Sequence, residues 1–257
     1  MISSLGGRSV SGSRSRTRFT MRMLLSSVVV CGLGFAAVSW CFREVGRSRW
    51  YARGSACRGN LHYIGMALRN YHETYGSFPP AYTVNKNGKP LCSWRVLLTA
   101  SDPSSSHIYN SYNFNEPWNG PNNRKLAVLR PTFYSCKNDS AQQSDSLCTS
   151  YVAIVGPGAT LQGGEPFKMA DPQCRQNQII LIAEVADSGI NWMEPRDLDV
   201  SRMSFLLNDP SRPSISSRDS GGPGVLFADG QVDRLDPSIT RDALKTMTTF
   251  TGGGAVR

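Results

Sequence analysis

The fold is decided near the N-terminus, where the chain reads Met23-Leu-Leu-Ser-Ser-Val-Val-Val-Cys-Gly-Leu-Gly-Phe-Ala-Ala-Val-Ser-Trp-Cys-Phe42. This run has 20 residues and no charge. At about 1.5 Å of rise per residue, a helix of that length reaches roughly 30 Å, the thickness of a hydrocarbon core. The sequence therefore predicts a transmembrane anchor over residues 23–42, preceded by a basic, disordered N-terminus over residues 1–22.

A cleaved secretory signal is the alternative interpretation of the same run. The arginine-rich segment before it and the small pair Ala36-Ala37 suit a signal peptide, although the apolar run is longer than usual, which favours retention. Charge leaves the orientation open, because five arginines precede the run and five follow it by residue 58.

The net positive charge of the chain comes from these flanks. Residues 1–58 hold ten arginines and one acid, Glu44, whereas residues 59–257 hold 18 basic and 18 acidic residues. A nucleic-acid-binding domain needs an excess of basic residues on its folded part to neutralise phosphates. The sequence therefore predicts no nucleic-acid partner.

Helical periodicity continues beyond the apolar run. The apolar residues of this segment recur at steps of three and four, which places them on one face of a helix: Leu61, Ile64, Leu68, Tyr71 and Tyr75. Gly76 and the prolines that follow it end the pattern. Residues 43–56 are a linker or a continuation of the helix, and residues 57–257 form one domain.

Short strands and irregular loops are predicted for the rest of the domain. Residues 149–155, 178–185 and 224–235 have strand character, and the last of these ranges is a hairpin with Asp229-Gly230 at its turn. Residues 101–131, rich in Pro, Asn and Ser, form a long irregular segment. A final helix is predicted over residues 236–247, with Asp236 as its N-cap.

No catalytic motif is present in the sequence. The nucleophile elbow, the P-loop, the dinucleotide fingerprint and the H-E-x-x-H zinc motif are all absent. Nothing around Cys92, the candidate nucleophilic cysteine, predicts an activated thiolate. Three acids near Trp192 form the most notable polar cluster, and loop carboxylates of this kind are ligands for Ca²⁺: Glu194, Asp197 and Asp199. Ordinary solvated loop acids are the other interpretation.

Five cysteines follow the apolar run without the spacing of a zinc site. In an exported domain they allow two disulfides and one free thiol, whereas in a cytosolic domain they stay reduced and buried.

The order of short motifs after residue 56 resembles a large bacterial family of unknown function. Its members have a pilin-like N-terminus and a C-terminal prepilin-processing-associated motif, and are sometimes named solute-binding-protein-like. The matching stretches include Cys57-x-x-Asn60, Gly76-Ser-Phe-Pro-Pro80, Ser93-Trp-Arg-Val-Leu97 and Val225-Leu-Phe-Ala-Asp-Gly230. The positions that carry the resemblance are Asn60, Tyr71, Pro79, Trp94, Trp118, Glu184, Trp192, Asp229 and Gly230.

The resemblance implies an α+β, pilin- or pseudopilin-like fold, with a long N-terminal helix packed on an antiparallel β-sheet and with long irregular loops. It also implies a domain on the outer side of the cytoplasmic (inner) membrane, in a single-pass protein. Pairing of Cys57 with Cys136 follows from the family positions, and Cys148 with Cys174 is a further pairing.

Two departures from the family pattern bear on assembly. Arg18 stands where a prepilin has Gly before the processed junction, and Met23 stands where the mature chain has Glu. The family also has a His ten residues before the Asp of Asp229-Gly230, and here that position is Asp219.

The sequence therefore favours a non-catalytic, membrane-anchored envelope protein with a structural or assembly role and with other pilin-like envelope proteins as partners. A tethered module that binds a ligand or Ca²⁺ is the alternative, and a membrane-anchored hydrolase is the least favoured. No cofactor is predicted apart from the Ca²⁺ of that alternative.

Overall fold

The structure is a computed structural model that describes residues 21–137, 147–161, 163–164, 166 and 178–249. Within the first helix, the side chains of residues 22–25, 27, 29, 30 and 46–53 lie outside this description. The chain divides into two compact units, residues 1–49 and 50–257, and each is described by itself. The predictions for residues 1–20, including the departure at Arg18, and for Cys174 fall outside the described residues.

Helix α1 runs over Met21–Tyr75. In the first unit its described large apolar side chains are exposed: Val28, Leu33, Phe35, Val38, Trp40, Phe42 and Val45. Among the described residues, no helix combines the length and the apolar character that crossing a bilayer requires.

The second unit contains the end of α1 and a series of mostly short elements. The further α-helices are α2 (Trp94–Leu98), α3 (Ser106–Ser111) and α4 (Arg241–Thr248). The strands are β1 (Tyr82–Val84), β2 (Pro90–Ser93), β3 (Tyr151–Val155), β4 (Ile180–Glu184), β5 (Leu198–Asp199), β6 (Gly224–Phe227) and β7 (Val232–Arg234). Turns of 3₁₀ helix cover Thr99–Ser101, Asn123–Leu129 and Thr132–Tyr134.

Strands β1 and β2 form a small antiparallel sheet, and the main sheet has the order β5-β3-β4-β6-β7. Strands β3, β4, β6 and β7 pair antiparallel with their neighbours, whereas the short edge strand β5 pairs parallel to β3. These pairings confirm an α+β fold with a mainly antiparallel sheet.

The main sheet separates two apolar cores. Alternation along β3 directs Tyr151 and Ala153 to one core and Val152 and Ile154 to the other. Helix α1 fills the first core with the face that its periodicity predicts, since Leu61, Ile64 and Leu68 are buried. Tyr71 is half-buried and Tyr75 is exposed, so the buried face ends before the helix does. Leu244 of α4 belongs to the second core.

The predicted hairpin is present between β6 and β7, with Leu226 opposite Val232. Gly230 has a φ of 88°, a left-handed conformation that Gly adopts without strain, and its N–H donates to the Phe227 carbonyl at 3.0 Å. The sequence was therefore sufficient to identify both the hairpin and its turn.

The start predicted for the final helix is wrong. Helix α4 begins at Arg241 with Thr240 as its N-cap, whose side chain accepts from the Ala243 N–H. The Asp236 carboxylate instead accepts from the Ser238 N–H at 2.7 Å and closes a separate turn. Both residues are good caps, and the sequence pattern did not separate a capped turn from a capped helix.

Candidate functional site

A buried ion pair between Arg95 and Asp197 holds the loop after β4 against helix α2. The side chains are 0% and 2% exposed. The Arg95 guanidinium also donates to the carbonyl oxygens of Tyr151 at 3.1 Å and Glu194 at 3.3 Å, and to the Ser93 hydroxyl at 2.8 Å. The buried Arg95 side chain therefore links three separate segments of the chain through hydrogen bonds.

Asp197 is committed to this network rather than to a loop surface. Its Oδ1 accepts from the Ala153 N–H at 2.8 Å and the Trp94 Nε1–H at 3.2 Å, besides Arg95. Burial raises the pKa of the Asp197 carboxyl, and the Arg95 guanidinium opposes that shift. The other oxygen, Oδ2, is buried and has no hydrogen-bond partner among the described residues.

The two other acids of the predicted calcium cluster have separate local roles. Glu194 pairs with Arg196 at 2.6 Å on the surface. Asp199 accepts from the backbone N–H and the hydroxyl of Ser201, at 2.8 and 2.7 Å. The calcium site stays a prediction. However, the described residues whose possible ligand atoms converge are a different set, in which none of these three acids takes part.

That converging set is Cys57, Cys136 and Glu184, whose sulfur and carboxylate atoms all lie within 4.8 Å of one another. The two cysteines form a disulfide with a Cα–Cα distance of 5.0 Å, which confirms the predicted pairing. All three residues are buried, with exposures of 4%, 1% and 5%. The cluster lies where α1 meets the end of β4 and the segment before β3.

Glu184 is held in a defined orientation at the end of β4. Its Oε2 accepts from the Gly224 N–H at 2.9 Å, and its Oε1 accepts from the Ser217 hydroxyl at 3.0 Å. Burial raises the pKa of the Glu184 carboxyl, while those two hydrogen bonds and the charge of Arg234 act in the opposite direction. A buried carboxylate next to a disulfide is therefore compensated by two neutral donors and a more distant cation.

Asn60 secures the same region from the next turn of α1. Its side-chain amide donates to the Ser135 carbonyl at 2.8 Å, next to Cys136 in the chain. It also donates to the Tyr151 hydroxyl at 3.3 Å, and that hydroxyl donates to the Cys57 carbonyl at 3.0 Å. The Asn60 position of the resemblance is therefore a support for the disulfide.

Asp219, the position where the resemblance predicts a His, pairs with Arg234 of β7 at 2.5 Å. Burial works against ionisation of Asp219, but hydrogen bonds from Arg234 and the Gly221 N–H outweigh it and lower its pKa. Gly54 of α1 lies against this pair, because a Cβ at that position would be 2.6 Å from Asp219 Oδ2 and would also clash with the Arg234 guanidinium. The Asp219–Arg234 ion pair and Gly54 of α1 therefore pack directly against one another.

A surface groove of about 610 Å³ opens on the other side of the sheet, between the loops that follow β4 and β5. Its lining includes four arginines and four aspartates: Arg196, Arg202, Arg212, Arg218, Asp187, Asp197, Asp199 and Asp209. Arg196 pairs with Glu194 and Arg218 pairs with Asp187, so part of the positive charge is balanced locally.

The remaining candidates for chemistry are buried or isolated. Cys92 is fully buried, and burial raises the pKa of its thiol to about 12. His62 and His107 are exposed, and the His72 ring packs on Phe78 with 4.9 Å between centroids. No described histidine joins a group of metal-ligating residues.

Most residues that carry the family resemblance build the scaffold. Trp94 and Trp192 are fully buried, and the Trp192 indole donates to the Ala127 carbonyl at 2.9 Å. Pro79 is buried and Trp118 is half-buried at the edge of the same core. These tryptophans therefore stabilise the core of the domain.

Sequence patterns did not indicate three features of the structure: the Arg95–Asp197 pair, the hydrogen bond from Ser217 to Glu184, and the arginine-rimmed groove. Arg95 carried a signal, since it stands in the short apolar segment Trp94–Leu98, where a charge needs a buried partner. Ser217 and the arginines of the groove lie on loops, and sequence patterns do not predict where loop residues lie in the fold.

Comparison with known families accounts for the middle of the chain. A family model described as a protein of unknown function, DUF1559 (SBP_bac_10), matches residues 47–180, a little over half of the 257 residues. The chain belongs to the DUF1559 family. No curated protein and no solved structure matches it. The match in this DUF1559 chain covers the disulfide and α2 but ends before Glu184, Trp192 and the Asp229-Gly230 turn.

Proposed function

We propose that this DUF1559 protein is a non-catalytic, single-pass protein of the cell envelope, with a pilin-like plan and a structural or interaction role. Residues 23–42 anchor it in the cytoplasmic membrane, and the domain from residue 57 lies outside the cytoplasm. Its partners are other pilin-like envelope proteins. It requires no cofactor and binds no nucleic acid.

The observation that carries this proposal is that α1 exposes its apolar side chains in one part and buries them in another. Over residues 28–45 the helix exposes large apolar side chains, and Phe35 is 81% exposed. Soluble surfaces rarely leave such a set uncovered, so a bilayer or a partner helix is its natural environment. Over residues 57–68 the same helix buries one face in a domain core.

The disulfide supports a location outside the cytoplasm. Stable disulfides form in oxidising compartments, and reducing systems keep cytosolic thiols free. The Cys57–Cys136 bond is buried and is braced by Asn60 and Tyr151.

The absence of catalysis in this proposal rests on how the polar groups are used. The Cys92 thiol is buried, with a pKa of about 12, and is a poor nucleophile at neutral pH. The Asp197 and Glu184 side chains are buried, and both carboxylates accept hydrogen bonds from the surrounding scaffold.

Extraction of membranes at alkaline pH tests the anchor. A C-terminally tagged full-length chain is expected to stay with the membrane after a carbonate wash. Leu33→Arg places a charge near the middle of residues 23–42, which costs about 3 kcal/mol of insertion free energy, and is expected to increase release. Leu33→Ile is the matched control. A shortened soluble product from the unchanged chain would identify a cleaved signal instead.

Crosslinking in native envelopes, followed by mass spectrometry, tests the interaction role. Crosslinks are expected between copies of this chain or between it and other proteins with a pilin-like N-terminal helix. A chain that crosslinks only to unrelated proteins, or only within itself, contradicts an assembly role while leaving the anchor intact.

A tethered binding module is the second candidate, and the arginine-rimmed groove favours it. Arg202 and Arg212 lie on this rim, both exposed, and are suited to anionic groups. Titration with inorganic phosphate and with Ca²⁺, followed by the melting temperature, tests both forms of this candidate. Arg202→Ala is expected to abolish a phosphate effect, and Asp199→Asn is expected to abolish a Ca²⁺ effect.

A further inference from the structure

The cluster of Cys57, Cys136 and Glu184 contains a carboxylate that a structural disulfide does not require. A disulfide is neutral and needs no carboxylate, yet the Glu184 carboxylate converges with both sulfurs within 4.8 Å. Burying a carboxylate costs free energy, and a neutral apolar side chain would pack against a disulfide without that cost. The disulfide alone therefore does not account for a buried carboxylate at this position.

We infer that reduction of the Cys57–Cys136 disulfide converts these two sulfurs and the Glu184 carboxylate into a binding site for Zn²⁺. Thiolate and carboxylate are both common zinc ligands, and three protein ligands with water in the fourth position is an established zinc geometry. The inference concerns the reduced chain and does not depend on the membrane anchor.

The conversion balances with a dithiol as reductant. The dithiol supplies two electrons and two protons, the Sγ–Sγ bond breaks, and the reductant becomes a disulfide while both cysteines become thiols. Zn²⁺ then replaces the two thiol protons, which leave to solvent, and two zinc–sulfur bonds form. Rotation of the released side chains provides the wider sulfur spacing that a bound ion needs.

Glu184 retains the capacity to bind a metal in its present orientation. Each of its oxygens accepts one hydrogen bond, from the Gly224 N–H or from the Ser217 hydroxyl. A carboxylate oxygen has two lone-pair directions, so each oxygen keeps one for a metal. The two donors resemble the outer contacts that orient ligands in metal sites.

Charge in the surroundings is suited to an anionic ligand set. Two thiolates and a carboxylate carry three negative charges, one more than Zn²⁺ neutralises. The Arg234 guanidinium is close enough to interact electrostatically with Glu184, and it is paired at its other side with Asp219. It partly offsets the residual negative charge.

Titration of the full-length chain with Co²⁺, a spectroscopic substitute for Zn²⁺, tests the site. The reduced chain is expected to develop a thiolate-to-cobalt charge-transfer band with one ion per chain, and the oxidised chain is expected to develop none. The double variant Cys57→Ser/Cys136→Ser keeps the other five cysteines and is the control for adventitious thiol binding. An equal band in the reduced double variant would overturn the inference.

Competition with a chromophoric zinc chelator tests the carboxylate. Ser217→Ala, which removes an outer contact, is expected to weaken zinc binding by about tenfold. Glu184→Gln, which removes a ligand, is expected to weaken it more. Unchanged affinity in Glu184→Gln would remove Glu184 from the site. Circular dichroism accompanies each titration: if reduction unfolds the domain, zinc is expected to restore its helix signal, and failure to bind or refold counts against the site.

Discussion

Single residues determine how the loops of this domain are held, and Asp197 shows it most clearly. Its carboxylate accepts from Trp94, Arg95 and the Ala153 N–H, which belong to two different elements. Truncating one partner of a buried ion pair leaves the other charge uncompensated, and that loss is larger than the net contribution of the intact pair.

Asp197→Asn is expected to lower the free energy of unfolding by about 3–5 kcal/mol, because the Arg95 guanidinium is left buried without its counter-charge. Asp199→Asn, two residues away, removes a local turn contact only and is expected to cost about 1 kcal/mol or less. Urea unfolding followed by fluorescence measures both. Equal losses for the two variants would show that the buried pair has no special weight.

Cys92 is expected to be inert toward alkylation in the native chain. With a pKa of about 12, only about one thiol in ten thousand is ionised at pH 8, and the side chain is fully buried. Iodoacetamide labelling with peptide mapping is expected to spare Cys92 in the folded chain and to modify it once the chain is unfolded. Native labelling of Cys92 at a comparable rate would restore it as a candidate nucleophile.

Glu184 and Asp219 are expected to give opposite dependences of stability on pH. The pKa of Glu184 is raised by burial, so its contribution is complete below the unfolded pKa and is lost as the pH rises through the folded pKa. The pKa of Asp219 is lowered, so its contribution is present above the unfolded pKa and is lost as the pH falls through the folded value.

Unfolding measured across pH tests these signs. Glu184→Gln is expected to gain stability relative to the unchanged chain as the pH rises, whereas Asp219→Asn is expected to gain it as the pH falls. Parallel curves for both variants would mean that neither carboxyl has a shifted pKa.

At the scale of elements, helix α1 depends on a small residue where it crosses the Asp219–Arg234 pair. Gly54→Ala is expected to destabilise the domain, because the new Cβ would displace the ion pair, despite the better helix propensity of Ala. Gly59 lies on the same helix, and a Cβ added there would meet nothing within 4 Å, so Gly59→Ala is expected to stabilise by up to about 1 kcal/mol. Thermal unfolding of the two variants gives the comparison, and a shift in the same direction would contradict it.

Sequence periodicity identified the elements that have long or distinctive patterns. The face of α1 from Leu61 to Leu68 and the β6–β7 hairpin followed from spacing and from turn chemistry. The β1–β2 pair was missed, because strands of three and four residues, one containing Pro90, carry almost no periodic signal. The start of α4 was misplaced because two adequate caps, Asp236 and Thr240, compete within a short stretch.

The candidate site was harder to predict than the fold because its contacts are distant in sequence. Arg95 and Asp197 are 102 positions apart, and Glu184 and Ser217 are 33 apart. Each side chain has an ordinary local context, and only the packing of the loops brings the partners together. The Cys57–Cys136 pairing was predicted through family resemblance, since spacing alone allows several pairings.

At the scale of the whole molecule, one covalent bond spans 79 residues. In the chain-entropy description, closing a loop of that size disfavours the unfolded chain by about 4.5 kcal/mol. Cys57→Ser/Cys136→Ser is expected to lose about 2–5 kcal/mol of unfolding free energy. The melting temperature of the double variant, compared with that of Cys92→Ser as a control for a buried thiol outside the bond, measures this. A loss no greater than that of the control would contradict it.

The same bond determines how the domain responds to mechanical load. A pull transmitted along α1 reaches Cys57 and passes through a covalent link to Cys136, so the chain between them carries none of the tension. At about 3.3–3.6 Å per extended residue, the 79-residue separation conceals roughly 260–285 Å of contour length from any stretching force. The part of α1 after Cys57, the small sheet and the irregular loops within that span therefore bear no tension while the rest of the domain is extended.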